Sequence, residues 1–199
     1  MSVPPADTAP ILTLPPDEAA AVAAAYAAGR VILEYGSGGS TVLAAEMAGK
    51  TVTSVESDRA WAQRMRDWFT AHPPASPVTV HHADIGTTRD WGYPKYLRSH
   101  MKWAGYPIEI WDEPGFVAPD VVLVDGRFRI ACFLTVMLKT PHPVTVLWDD
   151  YDDRPHYHRV ETLVQPVAKA GRLARFELTP TALSPAALRL LADSYLDPR

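Results

Sequence analysis

The chain has 199 residues, 47% hydrophobic and 21% charged, which excludes a disordered polymer and leaves enough length for a substantial core. A formal net charge of −4 supplies no global basic field, so nucleic acid is disfavoured as the main partner. The single Cys132 excludes an internal disulfide and a thiolate metal cluster, and no apolar run is long enough to cross a bilayer. The opening MSVPPADTAP lacks the basic and apolar regions of a signal peptide, so the cytoplasm is the expected location and a membrane is not an expected partner.

Residues 1–16 are proline-rich and read as an irregular arm. Asp17 or its neighbour can cap a helix running through the alanines to Ala28, with Gly29 as its stop. The short apolar run 30–35 reads as a buried strand. Residues 40–48 read as a helix closed by Gly49, 51–55 as a β-branched strand, and 58–70 as an amphipathic helix. Residues 77–81 supply a third strand, followed by HADIG.

The pattern breaks at 86–118, where Trp91, Tyr93, Tyr96, Trp103, Tyr106 and Trp111 stand among prolines and glycines. This reads as an insertion with little regular structure. It is too aromatic for disorder, and connections of that length in a compact domain usually carry function. A wall of Trp and Tyr suits a planar or sugar-like ligand; a homodimer contact or a small satellite core fits the same composition. Alternation then resumes with a strand at 119–126, a helix at 128–139 and a strand at 143–150. A helix over 155–170 and a strand at 172–178 follow, and the tail reads as a helix with Ser184 as cap and Pro185 at its first position. Strands alternating with helices imply one α/β domain over 1–199, a doubly wound, mostly parallel sheet with helices on both faces.

In such a sheet, ligands sit beyond the carboxyl ends of the strands, near the switch point. EYGSGG (34–39) places Gly36, Gly38 and Gly39 in the turn from the first strand into a helix. Missing side chains there let a ligand approach the backbone, although a plain tight turn needs the same residues. Glu56 ends the second strand, twenty residues beyond Gly36, where nucleoside-binding domains place a carboxylate for ribose hydroxyls. Asp84 ends the third strand, suited to an adenine amino group. A dinucleotide fingerprint wants glycine where Thr41 stands, and it has no use for Glu34. An acid at 34 would repel a pyrophosphate but orient a cation.

With these residues the sequence resembles the class I S-adenosylmethionine-dependent methyltransferases, which have a Rossmann-like fold. EYGSGG is similar to their first motif, with Ser40 where a last glycine often sits; VESD (55–58) and HADI (82–85) look like their ribose and adenine positions. The resemblance covers roughly residues 30–150. It implies S-adenosylmethionine as cofactor, held by Glu34, Gly36, Ser37, Gly38, Ser40, Glu56, Asp84 and Asp125, and methyl transfer to a small molecule, expected at oxygen. A nicotinamide-dependent oxidoreductase and a non-catalytic methyltransferase-like module are the alternatives.

DVVLVDGRFR (120–129) and TVLWDDYDDR (145–154) each end an apolar strand in aspartate. Asp125, Asp149 and Asp150 would meet at one edge and could bind Mg²⁺ or Ca²⁺ through hard oxygen donors, unless Asp149 only caps the following turn and Asp125 orders the loop around Gly126. Catechol-type O-methyltransferases bear a similar arrangement, with an Asp-Asn pair where this chain has Asp149 and Asp150. Alternatively Asp125, Asp149, His156 or His158 serves as general base, although the two histidines also read as surface residues at the start of a helix. Without a metal, Arg127 or Arg129 is the expected counter-charge; either could instead hold an anionic substrate group.

Overall fold

The computed structural model describes residues 8–182 and 184–199. Seven strands form one sheet: β1 (Val31–Tyr35), β2 (Thr51–Glu56), β3 (Val78–His82), β4 (Val121–Val124), β5 (Val144–Trp148), β6 (Ala168–Ala170) and β7 (Leu173–Leu178). Their order is β3-β2-β1-β4-β5-β7-β6. The first five are parallel, and β7 runs antiparallel to both β5 and β6. Every residue of β4, VVLV, is buried, as a strand covered on both faces requires.

Helices α1 (Pro16–Ala28), α2 (Gly39–Glu46) and α3 (Arg59–Ala71) cover one face. Val22, Tyr26 and Ala44 meet Ile32, Val52, Leu123 and Leu147 there. Helices α4 (Gly105–Asp112), α5 (Arg129–Lys139) and α6 (Pro185–Ser194) cover the other, against Leu33, Val55, Val122 and Val146. The doubly wound, mostly parallel α/β sheet read from the sequence is the fold. Register aligns the carboxyl ends: Tyr35 pairs with Val55 and Val124, and Val124 with Trp148. Gly36, Glu56, Asp125 and Asp149 therefore fall along one edge.

The sequence expectations need correction at α1, at residues 155–170 and in the insertion. α1 starts at Pro16 with no side-chain cap, because proline takes the first position where its missing N–H costs nothing; Asp17 lies in the first turn. Residues 155–170 are not one helix. Pro155–Thr162 is a 3-10 helix, and beyond Pro166 the chain enters β6. Gly171, at φ +53, and Arg172 make the two-residue turn into β7.

The insertion is more ordered than its composition implies. It contains a short hairpin (Thr88–Arg89 with Tyr93–Pro94), a 3-10 helix (Leu97–Lys102) and α4. Its Trp103, Tyr106 and Ile110 are buried in the main core, so these side chains build the fold and line no open wall. Trp91 and Tyr96 are exposed. Of the expected N-terminal arm, residues 1–7 lie outside the described residues. Residues 8–15 have no helix or strand, and the backbone of Ile11 and Leu12 packs where a Cβ on Gly39 would sit. No helix among the described residues is long and apolar enough to cross a membrane.

Candidate active site

The glycine turn is held from below by Glu34. Its carboxylate is fully buried between sheet and helices, accepting hydrogen bonds from Tyr26 Oη of α1 at 2.5 Å and from Thr41 Oγ1 of α2. Thr41 Oγ1 also accepts from the Gly38 N–H at 2.9 Å, so one hydroxyl ties the acid to the loop. The residue that breaks the dinucleotide pattern is thus the partner of the acid that the pattern does not use. Gly36, at φ +106, lies against the backbone of Gly126: a Cβ there would come within 2.9 Å of Gly126 N. A Cβ on Gly38 would meet nothing within 4 Å, so the loop leaves open space at that point. Ser37 donates through Oγ to Ser54 at 2.9 Å, and Ser40 beside Glu34 helps to hold the pKa of that carboxyl down.

Glu56, also buried, closes the second side. Its carboxylate accepts from the N–H groups of Asp58, at 2.8 Å, and Ser37, at 3.3 Å. The insertion reaches over it: Ser57 Oγ donates to Gly92 O at 2.9 Å, and Thr88 Oγ1 to Asp58 Oδ2 at 2.7 Å. Asp84 stands exposed at the end of β3, accepting from the Gly86 N–H and paired with Lys102 Nζ at 2.5 Å.

Burial pushes Glu34 and Glu56 up from the usual 4.5 to about 7, against the pull of their hydrogen bonds. The folded values lie above the unfolded ones, so the native state holds protons that the unfolded chain releases. Their contribution to stability is full below about pH 4.5 and is lost as pH rises through about 7. Calorimetry should therefore show a lower melting temperature at about pH 8 than at about pH 5. Glu34→Gln should flatten that fall, and an unchanged slope would contradict this account of Glu34.

Asp125, Asp149 and Asp150 do converge, with ligand oxygens within 4.8 Å of one another. Three guanidinium groups converge with them. Arg129, 3% exposed, pairs with Asp125 Oδ1 at 3.0 Å and Asp150 Oδ2 at 3.2 Å, and donates to the carbonyls of Asp125, Gly126 and Asp149. Arg172 grips Asp149 through both oxygens, at 3.0 and 2.9 Å, and touches Asp150 Oδ1 at 3.0 Å. Arg154 pairs with Asp150 Oδ2 at 2.6 Å. Five of the six carboxylate oxygens are thereby engaged, and three positive charges balance three negative ones. This donor set does not fit Mg²⁺: the charge expected of a metal is supplied by arginine. Of the two arginines named from the sequence, Arg129 forms ion pairs with these acids, whereas Arg127 acts on Asp125 only through space.

The geometry also separates the expected bases. Asp149 is buried with both oxygens held by Arg172, so its carboxylate is committed to that ion pair. Asp125 has Oδ2 without a described partner. Burial and the neighbouring Asp149 and Asp150 outweigh Arg129 and push it up to about 6. His156 is held below its ordinary value by burial and by Arg199, and its Nε2 has no hydrogen-bond partner. Tyr26, Arg154 and Arg172 were not read from the sequence as site residues. The signals were faint: a lone tyrosine in an alanine-rich helix, an arginine four residues after Asp150, and one after the turn glycine.

No protein-family model and no curated protein matches the chain. Among solved structures, a methyltransferase-like protein from Silicibacter pomeroyi is 47% identical, with a TM-score of 0.92 over 96% of this chain and 99% of that one. The O-methyltransferase TomG from Streptomyces achromogenes, solved with S-adenosylmethionine, is 16% identical, with a TM-score of 0.52 over 86% of this chain and 82% of its own. That second likeness extends to the fold alone.

Proposed function

Because the chain belongs to the class I S-adenosylmethionine-dependent methyltransferases, we propose that it methylates a hydroxyl group of a small molecule, without a metal, using Asp125 as general base. The observation that carries this reading is the pairing of each converging aspartate with arginine while Asp125 Oδ2 stays free. The residues at the glycine turn fit the cofactor. Gly38 opens space beside the loop, and Glu56 stands at the end of β2 where ribose hydroxyls can be accepted. Bound there, S-adenosylmethionine supplies a methyl group on a sulfonium.

The chain's own residues do the rest. Glu34 and Thr41 hold the loop in shape, and Glu56 orients the ribose. Ser37, Ser40 and Asp84 complete the proposed cofactor contacts. Asp125 takes the hydroxyl proton on Oδ2 as the acceptor oxygen bonds to the methyl carbon, and the electron pair of the broken S–C bond stays on sulfur. Arg129 keeps Asp125 aimed and ionised, while Arg172 and Arg154 fix the pair behind it. Holding the partners in line supplies much of the rate.

The test is transfer from methyl-labelled S-adenosylmethionine to a panel of phenols, alcohols and amines in the presence of EDTA. Label on a hydroxyl, undiminished by the chelator, is expected. Label confined to amines, or lost with EDTA and restored by Mg²⁺, would overturn the reading.

A further inference from the structure

Four arginines lie at the β4–β5 edge, and one of them is not spent on an aspartate. Arg127 follows Asp125 by two residues, at the turn into α5. Its backbone is fixed: the N–H donates to Tyr106 Oη at 3.4 Å and the carbonyl accepts from Cys132 Sγ at 3.3 Å. The guanidinium lies 5.2 Å from the ring centre of Tyr93 in the insertion, and its Nε is buried with no hydrogen-bond partner. Among the described residues no carboxylate lies within ion-pairing distance of it, whereas Arg129, Arg154 and Arg172 are all paired. A half-buried cation with an unused donor is costly unless something else completes it.

Its surroundings select what that can be. Asp125, Asp149 and Asp150 each already have an arginine partner, so Arg127 is the guanidinium at this edge left without an ion pair among the described residues. Tyr93 lies beside the guanidinium, and Tyr106 Oη accepts from the backbone N–H of Arg127. A planar guanidinium matches a carboxylate or phosphate through paired N–H donors.

Resting on the reading of this edge as the acceptor site, we propose that Arg127 receives an anionic group of the acceptor, a carboxylate or a phosphate, and so holds its hydroxyl at Asp125. The insertion then takes part in recognition. Its Gly92 is fastened to Ser57 beside Glu56, and the next residue, Tyr93, backs Arg127, so one segment spans from the proposed ribose carboxylate to the acceptor.

The probes are inorganic phosphate, benzoate and the neutral benzamide, added to the full chain with saturating S-adenosylhomocysteine. The Arg127 Nε–H resonance, assigned by its loss in Arg127→Lys, should shift saturably with phosphate or with benzoate and not with benzamide. Whichever anion acts names the group. Arg127→Gln should raise that anion's dissociation constant at least tenfold and leave S-adenosylhomocysteine affinity unchanged. No shift with either anion, an equal shift with benzamide, or unchanged anion affinity in Arg127→Gln would overturn the proposal. Absence of S-adenosylhomocysteine binding would instead remove the cofactor reading, and the Arg127 resonance would still report on the anions.

Discussion

Asp125→Asn should lower kcat by about 10²–10⁴-fold, the usual contribution of a positioned general base. The substitution keeps an oxygen for Arg129 Nη2, so the 3.0 Å contact and the local backbone should survive. What is lost is the capacity to take a proton on Oδ2. Wild-type activity should rise with pH through about 6, because Asp125 works only when ionised and burial holds it at that value. The asparagine variant should lose that limb. A variant with wild-type kcat would assign the proton to another group, with His156 and its unpartnered Nε2 next in line.

The second large effect is on stability. Arg129 is 3% exposed and joins Asp125, Gly126, Asp149 and Asp150 from the first turn of α5. Arg129→Met keeps the apolar stem and removes the charge, leaving two buried or half-buried carboxylates short of a partner. Breaking one side of a buried ion cluster costs roughly 3–5 kcal/mol. In a chain of 199 residues that is a fall of about 10 °C in melting temperature, readable by calorimetry. Millimolar Mg²⁺ should leave the wild-type melting curve where it is, since arginine already provides the positive charge. A Mg²⁺-dependent rise in the wild type would restore the metal by mass action.

Much of this was legible beforehand, and the reason is geometric. A parallel strand buried on both faces must be a short apolar run, so VILEY, VVLV and VTVLW announce themselves, and an acid or glycine closing each run marks the ligand edge. Ser184 was readable as a cap for the same local reason, and its side chain accepts from the Ala187 N–H. Elements defined by distant partners were not legible. Ala168–Ala170 is a strand only because Leu173–Leu178 folds back on it, and the helix drawn over 155–170 ignored Pro166 and the turn at Gly171.

The same holds for α4. Its turn GYPI begins with glycine and carries a proline, which looks like loop until Tyr106, Pro107 and Ile110 find the core. At the site, the three aspartates were visible as repeating strand ends, yet their arginines come from three different elements. Arg129 opens α5, Arg154 precedes a 3-10 helix, and Arg172 belongs to the hairpin turn. Spacing along the chain carries no signal for that meeting. Metal and arginine answer the same electrostatic demand, and only the fold distinguishes them.

Isothermal titration of S-adenosylhomocysteine into the full chain, in EDTA, tests the central claim most directly. Saturable binding of one equivalent is expected, with affinity unchanged when Mg²⁺ replaces the chelator. Glu56→Gln should weaken it by about tenfold or more, the loss of one or two charge-assisted hydrogen bonds. No heat of binding at millimolar ligand, or an affinity indifferent to Glu56→Gln, would contradict a cofactor held at the glycine turn and the end of β2.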